Sequence, residues 1–118
     1  MITFDSKAVY LACGHTDMRK SINGLAALVE GSFKLDLFGE SVFVFCNRNR
    51  NRLKILEWDG DGFWLYFKRL ERGRFRWPSA DENEATMRLT NEELSHLLGG
   101  PKVIQKLLRK DVRIGAAI

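Results

Sequence analysis

Between Asn47 and Arg52 the chain reads NRNRNR, so Arg48, Arg50 and Arg52 share one short connection with Asn47, Asn49 and Asn51. A guanidinium forks onto phosphate oxygens and onto the acceptor edge of guanine, and the carboxamide of Asn suits adenine. The chemistry that these residue types fit is contact with nucleic acid rather than bond making. Lys68, Arg72, Arg74 and Arg76 follow, with Trp64 and Tyr66 among them. Flat rings beside cationic heads are the ingredients of a platform for stacked bases. Each group has a plainer structural use: Asn residues set a turn that Arg residues solvate, and aromatic rings on a sheet are commonly packed under a helix or a second subunit.

Other chemistry finds little support. Cys13, His15, Cys46 and His96 are the only Cys and His side chains, and they lack the C-x-x-C or H-x-x-x-H spacing of a metal site, so neither a metal nor a cofactor is expected. Asp59 and Asp61 belong to Asp-Gly-Asp-Gly, which is turn chemistry. No phosphate-binding loop, nucleophile elbow or clustered Asp/Glu set for metal-assisted strand cleavage is present. No catalytic residue is therefore assigned, and the expectation is a protein that is not an enzyme.

The elements that must position the basic residues are read from periodicity. From Ser41 to Pro78 short apolar runs alternate with turn signals, which predicts four antiparallel strands: Val42–Cys46, Leu53–Trp58, Phe63–Leu70 and Arg74–Trp77. Asp-Gly supplies the middle hairpin, and Glu71-Arg72-Gly73 the next, with Gly73 in the left-handed conformation. If Trp58 pairs with Phe63, period-two alternation places Leu56, Trp58, Phe63, Leu65, Phe67, Phe75 and Trp77 on a core face. The opposite, mixed face then carries Leu53, Ile55, Glu57, Trp64, Tyr66, Lys68, Leu70, Arg74 and Arg76.

Upstream, Lys7–Gly14 reads as a strand. Asp17 is a candidate cap for a helix over Met18–Phe33, whose apolar residues recur at helical spacing and face the sheet. Downstream, Ala85–Leu89 reads as a short edge strand, and Thr90 and Glu93 have capping-box spacing ahead of a helix ending at Gly99-Gly100-Pro101. The fold class expected is α+β: an antiparallel β-meander plus an N-terminal strand, covered by one crossover helix, with a short C-terminal helical segment. Residues 1–100 form the single domain, and residues 101–118 a basic helix or tail.

With 118 residues, 45% hydrophobic and 29% charged, the chain is sized for one self-sufficient core. No apolar run approaches the roughly 18 residues of a membrane span, and the opening MITFDSKAVYLACG lacks the pattern of a secretory signal. The expected location is the cytoplasm, with free thiols. Charge is segregated: residues 47–77 hold nine Lys or Arg against four Asp or Glu, and residues 101–118 five against one, whereas residues 78–100 are net acidic. A basic sheet and tail suggest a polyanionic partner.

Two segments carry a resemblance: VYLACGHTDMRKSINGLAALV over Val9–Val29, and VFVFCNRNRNRLKILEWDGDGFWLYFKRLERGRFRWP over Val42–Pro78. They resemble the TnpB accessory proteins encoded by the second open reading frame of insertion sequences of the insertion-sequence-sixty-six type, a family unrelated to the RNA-guided nucleases that share the name. The resemblance runs from about Val9 to about Gly99. It implies a small protein encoded beside a separate transposase, needed for efficient transposition, with no catalytic set to carry over. The partners expected are DNA, in particular the element ends, or the cognate transposase, or a transposase–DNA complex, with a homodimer as a further candidate assembly and no membrane. DNA contact is assigned to Arg48, Arg50, Arg52, Lys68, Arg72, Arg74 and Arg76. The alternative is a protein–protein adaptor that binds the transposase through Trp64 and Tyr66, its basic charge incidental.

Overall fold

Val42, Phe43, Val44, Phe45 and Cys46 are apolar without alternation, and they occupy a strand that is covered on both faces. This strand, β2 (Ser41–Cys46), is the middle of a five-stranded mixed sheet in a computed structural model that describes residue 4 and residues 7–80 and 84–99. On one side β3 (Arg52–Trp58) and β4 (Phe63–Arg69) continue from it as an antiparallel meander. On the other side β1 (Ala8–Ala12) runs parallel to it, and β5 (Thr86–Leu89) pairs antiparallel with β1, giving the order β4-β3-β2-β1-β5. Trp58 lies opposite Phe63, which is the expected register. The basic helix expected over 101–118 lies outside the described residues.

A parallel β1–β2 pair needs a crossover, and the helical segment between them provides it. It starts later than its apolar spacing suggests. Asp17 caps no helix; its carboxylate accepts from the Arg19 backbone N–H at 2.9 Å and holds a separate turn, whose carbonyls at Met18 and Lys20 each accept from Lys54 Nζ at 2.9 Å. Helix α1 (Ile22–Ala27) then follows and widens into a π-helical turn over Leu28–Ser32. Leu25 and Val29 are fully buried against Phe43, Phe45 and Leu56, with Ile22, Phe63 and Leu65 at the margin of the same cluster.

The opposite face is a second core rather than an open surface. Leu11, Val42, Val44, Leu53 and Ile55 pack there with Phe4 and with Leu94 and Leu98 of α2 (Asn91–Leu97) and its cap. The expected capping box starts α2: Thr90 Oγ1 accepts from Glu93 N, and the Glu93 carboxylate accepts from Thr90 N. On this face the expectation for Arg74–Trp77 is overturned, because residues 74–77 form no strand. After β4, Gly73 takes a φ of +76° and redirects the chain across the sheet. Phe75 N–H donates to Arg50 O at 2.7 Å, and Trp77 Nε1 donates to Ala12 O at 2.9 Å. Phe75 and Trp77 therefore belong to the Leu53 and Ile55 face, not to the Leu56 face. The physical reason is topological: β5 pairs at the far edge, so the chain must cross from β4 to β1, and the face it crosses is sealed by the rings it carries.

Within that second core lies an ion pair. Glu57 is 5% exposed, and its carboxylate meets Lys7 Nζ at 2.8 Å and accepts from Tyr66 OH at 2.7 Å. The same ammonium donates to Trp58 O at 3.0 Å. Both carboxylate oxygens are thus engaged, as burial of a charge requires.

Candidate nucleic-acid interface

The Asn residues of the β2–β3 connection build the turn. Asn47 Oδ1 accepts from the backbone N–H groups of Asn51 and Arg52 at 2.9 and 3.0 Å, and its amide donates to Asn51 Oδ1 at 2.7 Å. Arg50 adopts a positive φ of 59°, uncommon for a side chain with a Cβ, and its carbonyl is held by Phe75 N–H. Leu70 N–H donates to Asn51 O at 2.7 Å, so the connection after β4 is tied to the same loop. These bonds bring arginines from two separate stretches to one end of the sheet.

There Arg48, Arg50, Arg52, Arg72, Arg74 and Arg76 are all exposed, and among the described residues none forms an ion pair with a carboxylate. Arg48 and Arg50 border a hollow floored by Trp77 and Pro78. Arg74 and Arg76 border a groove shared with α2. Arg52 points to the α1 side of the sheet, directly opposite Arg69 in register. Lys68 is placed differently: its ammonium donates to Leu98 O at 3.0 Å, at the carbonyl end of α2, where a cation favours the helix dipole.

Trp64 and Tyr66 lie farther along β4 and are half buried. Their rings stack on each other at 6.2 Å between centroids and 5° between planes. The indole N–H of Trp64 donates to Asp59, Tyr66 OH reaches Glu57, and Phe4 meets Tyr66 edge on. The Trp64 indole also holds the Asp59 carboxyl below its ordinary range, and the hydrogen bond and charge of Asp59 in turn push Asp61 up. The pair thus belongs to the hairpin, as its turn chemistry implies. At the basic end, Arg19 lowers Asp17 to about 2 through its hydrogen bonds.

Sequence reasoning missed one group, on the α1 side. Phe67, expected in the core, is 55% exposed, and Lys54 and Arg69 stand beside it with Arg52. The signal was available: along the alternation Trp58, Leu56, Lys54, Arg52 and its partner Phe63, Leu65, Phe67, Arg69, the face turns from apolar to cationic, which marks where the helix cover ends.

Among the described residues no three His, Cys, Asp or Glu side chains gather into a group able to hold a metal, and no helix is long and apolar enough to cross a membrane. Cys13 and Cys46 are free thiols.

Comparison with known sequences, rather than the sheet or its basic end, gives the class of this chain: the accessory factors of DNA transposition. It belongs to the family described as IS66 Orf2 like protein, whose profile matches residues 7–107, and this membership supports an accessory role in transposition. The chain is 42% identical over 92 residues to a Sinorhizobium fredii protein named uncharacterized protein y4hO, the match covering 78% of each chain. A second protein of that organism, uncharacterized protein y4jC, is 34% identical over 92 residues, covering 78% of this chain and 77% of its own. No solved structure matches the chain.

Proposed function

We propose that the protein serves transposition by binding DNA directly, at the element ends, through the basic end of its sheet. The observation that carries this reading is the set of exposed arginines, Arg48, Arg50, Arg52, Arg72, Arg74 and Arg76, drawn together by the Phe75–Arg50 and Leu70–Asn51 backbone bonds with no carboxylate paired to them among the described residues. Six guanidinium groups on one end of a small protein form a field that attracts a phosphate backbone. The role is binding rather than catalysis. Lys68 then acts as support, holding α2 beside Arg74 and Arg76. Binding to the transposase through Trp64 and Tyr66 is the competing reading, and it draws less support because both rings are engaged within the protein.

The test is the salt dependence of binding to a duplex bearing an element end. Each phosphate contact should contribute roughly 0.9 to the slope of log affinity against log salt. Arg48→Glu with Arg74→Glu should abolish binding at moderate salt and leave the melting temperature unchanged, since both side chains are exposed. Lys34→Glu with Arg88→Glu alters total charge equally away from this end and should weaken binding far less. Equal losses from the two pairs, or a parent protein without DNA affinity at low salt, would overturn the reading, the second in favour of the adaptor.

A further inference from the structure

The α1 side of the sheet is covered only part of the way. Leu56 and Leu65, opposite each other in β3 and β4, lie under the helix, but the next pair on that face, Lys54 and Phe67, does not, and the last pair is Arg52 opposite Arg69. A hollow of about 620 Å³ results, with the Asp17–Arg19 turn as its far wall.

Phe67 is the unusual residue in it. Phe38 is equally exposed, at 54%, but its ring rests edge on against Trp58 and tilts against Phe63. Among the described residues Phe67 has no ring partner; the group over it is the Lys54 ammonium, 6.0 Å from its centroid. That ammonium is itself fixed by the carbonyls of Met18 and Lys20, so it shapes the hollow instead of reaching out.

The surrounding charge selects the occupant. Like charges directly opposite on neighbouring strands destabilise a sheet, and Arg52 faces Arg69 in that way. Arg69 is partly relieved by Glu71 at 2.7 Å, and Arg19 by Asp17 at 2.8 Å, whereas Arg52 has no carboxylate partner among the described residues. An anion beside Arg52 relieves the repulsion, and an exposed ring one position farther along the same face accepts a flat apolar partner. Unpaired nucleotides combine those two properties, a phosphate attached to a base whose π-face is free. A duplex offers its base faces only at its ends.

We infer that Phe67 is a stacking site for one unpaired base of single-stranded DNA, with Arg52 receiving the adjoining phosphate. The inference rests on the DNA-binding reading and deepens it by adding a second, strand-selective contact on the sheet face away from Arg74 and Arg76. A protein that holds both duplex and unpaired DNA at one end suits a junction where a strand has been opened.

The test compares binding of a labelled oligothymidine and of a duplex of equal length, by fluorescence anisotropy. Loss of a base–aromatic stack is worth about 1–3 kcal/mol, so Phe67→Ala should weaken single-strand binding by roughly 5- to 150-fold. Duplex binding should change by less than about twofold, and Phe67→Tyr should restore the parent affinity. Arg52→Gln should lower the single-strand salt slope by roughly 0.7, the value for one phosphate contact. The melting temperature of Phe67→Ala should match the parent, because the ring is exposed. A parent that binds both DNAs while Phe67→Ala binds them equally well would overturn the stacking site and leave the DNA reading standing. Equal weakening on duplex and single strand would also overturn it, as would failure of Tyr to rescue. A parent that binds neither DNA removes the DNA reading, and the stacking site with it.

Discussion

Replacing Lys7 with Met should cost the protein a substantial part of its stability. The substitution keeps the length and apolar stem of the side chain but leaves the Glu57 carboxylate, 5% exposed, without the ammonium that sits 2.8 Å away. Removing one partner of a buried ion pair costs about 3–5 kcal/mol, because the other charge is left uncompensated. Two features argue for the lower end: the Lys7 side chain is 17% exposed, and Tyr66 OH still donates to Glu57 at 2.7 Å. The expected loss is thus about 3 kcal/mol. With an unfolding entropy near 2.1 cal/mol/K per residue, about 0.25 kcal/mol/K for a chain of 118 residues, that is a fall in Tm of roughly 12 °C. Calorimetry or circular dichroism melting reads it directly. Lys7→Met with Glu57→Gln provides the second half of the cycle, since Gln still accepts from Tyr66 and carries no charge. The double variant should recover to within about 4 °C of the parent, as replacement of a whole buried pair is often near neutral. A single variant within about 2 °C of the parent, or a double variant as unstable as the sum of the two singles, would refute the account of Glu57 as a charge held in the core by Lys7.

Two further outcomes follow from the hairpin and from the central strand. Gly60 has a φ of +104° and open space around the position of a Cβ, whereas Gly62 has equal space and no positive φ. Gly60→Ala should therefore cost about 1–3 kcal/mol through backbone strain alone, and Gly62→Ala much less; equal melting temperatures would show that the turn does not depend on the left-handed residue. Burial pushes the Cys46 thiol up to about 11 from an ordinary 9.0. The unfolded chain releases this proton first, so stability should be intact below pH 9 and decline as pH rises toward 11, and a Cys46→Ala variant should lack that component. An unchanged pH profile in Cys46→Ala would mean that the alkaline decline arises elsewhere.

Much of the fold is written locally. The Trp58–Phe63 register, the Asp-Gly hairpin, the left-handed Gly73, the short edge strand β5 and the Thr90–Glu93 capping box each follow from a few neighbouring residues, because period-two alternation and turn or cap chemistry are properties of the adjacent backbone. The basic character of the candidate interface is legible for the same reason, since a run such as NRNRNR has no place in a core. What tertiary structure alone decided is which surface remains open. Arg74–Trp77 has the content of a strand, but the sheet is completed at β1 by β5, so the segment crosses a face and buries Phe75 and Trp77 there. Trp64, Tyr66 and Lys68 look available in sequence and are engaged by Asp59, Glu57 and Leu98, partners set by hairpin geometry and by where α2 docks. Phe67 looks buried and is exposed, because the covering helix begins only at Ile22 and its cover does not reach the end of β4. Burial depends on what packs above a residue, and that is fixed by element lengths and chain path rather than by the residue's own alternation.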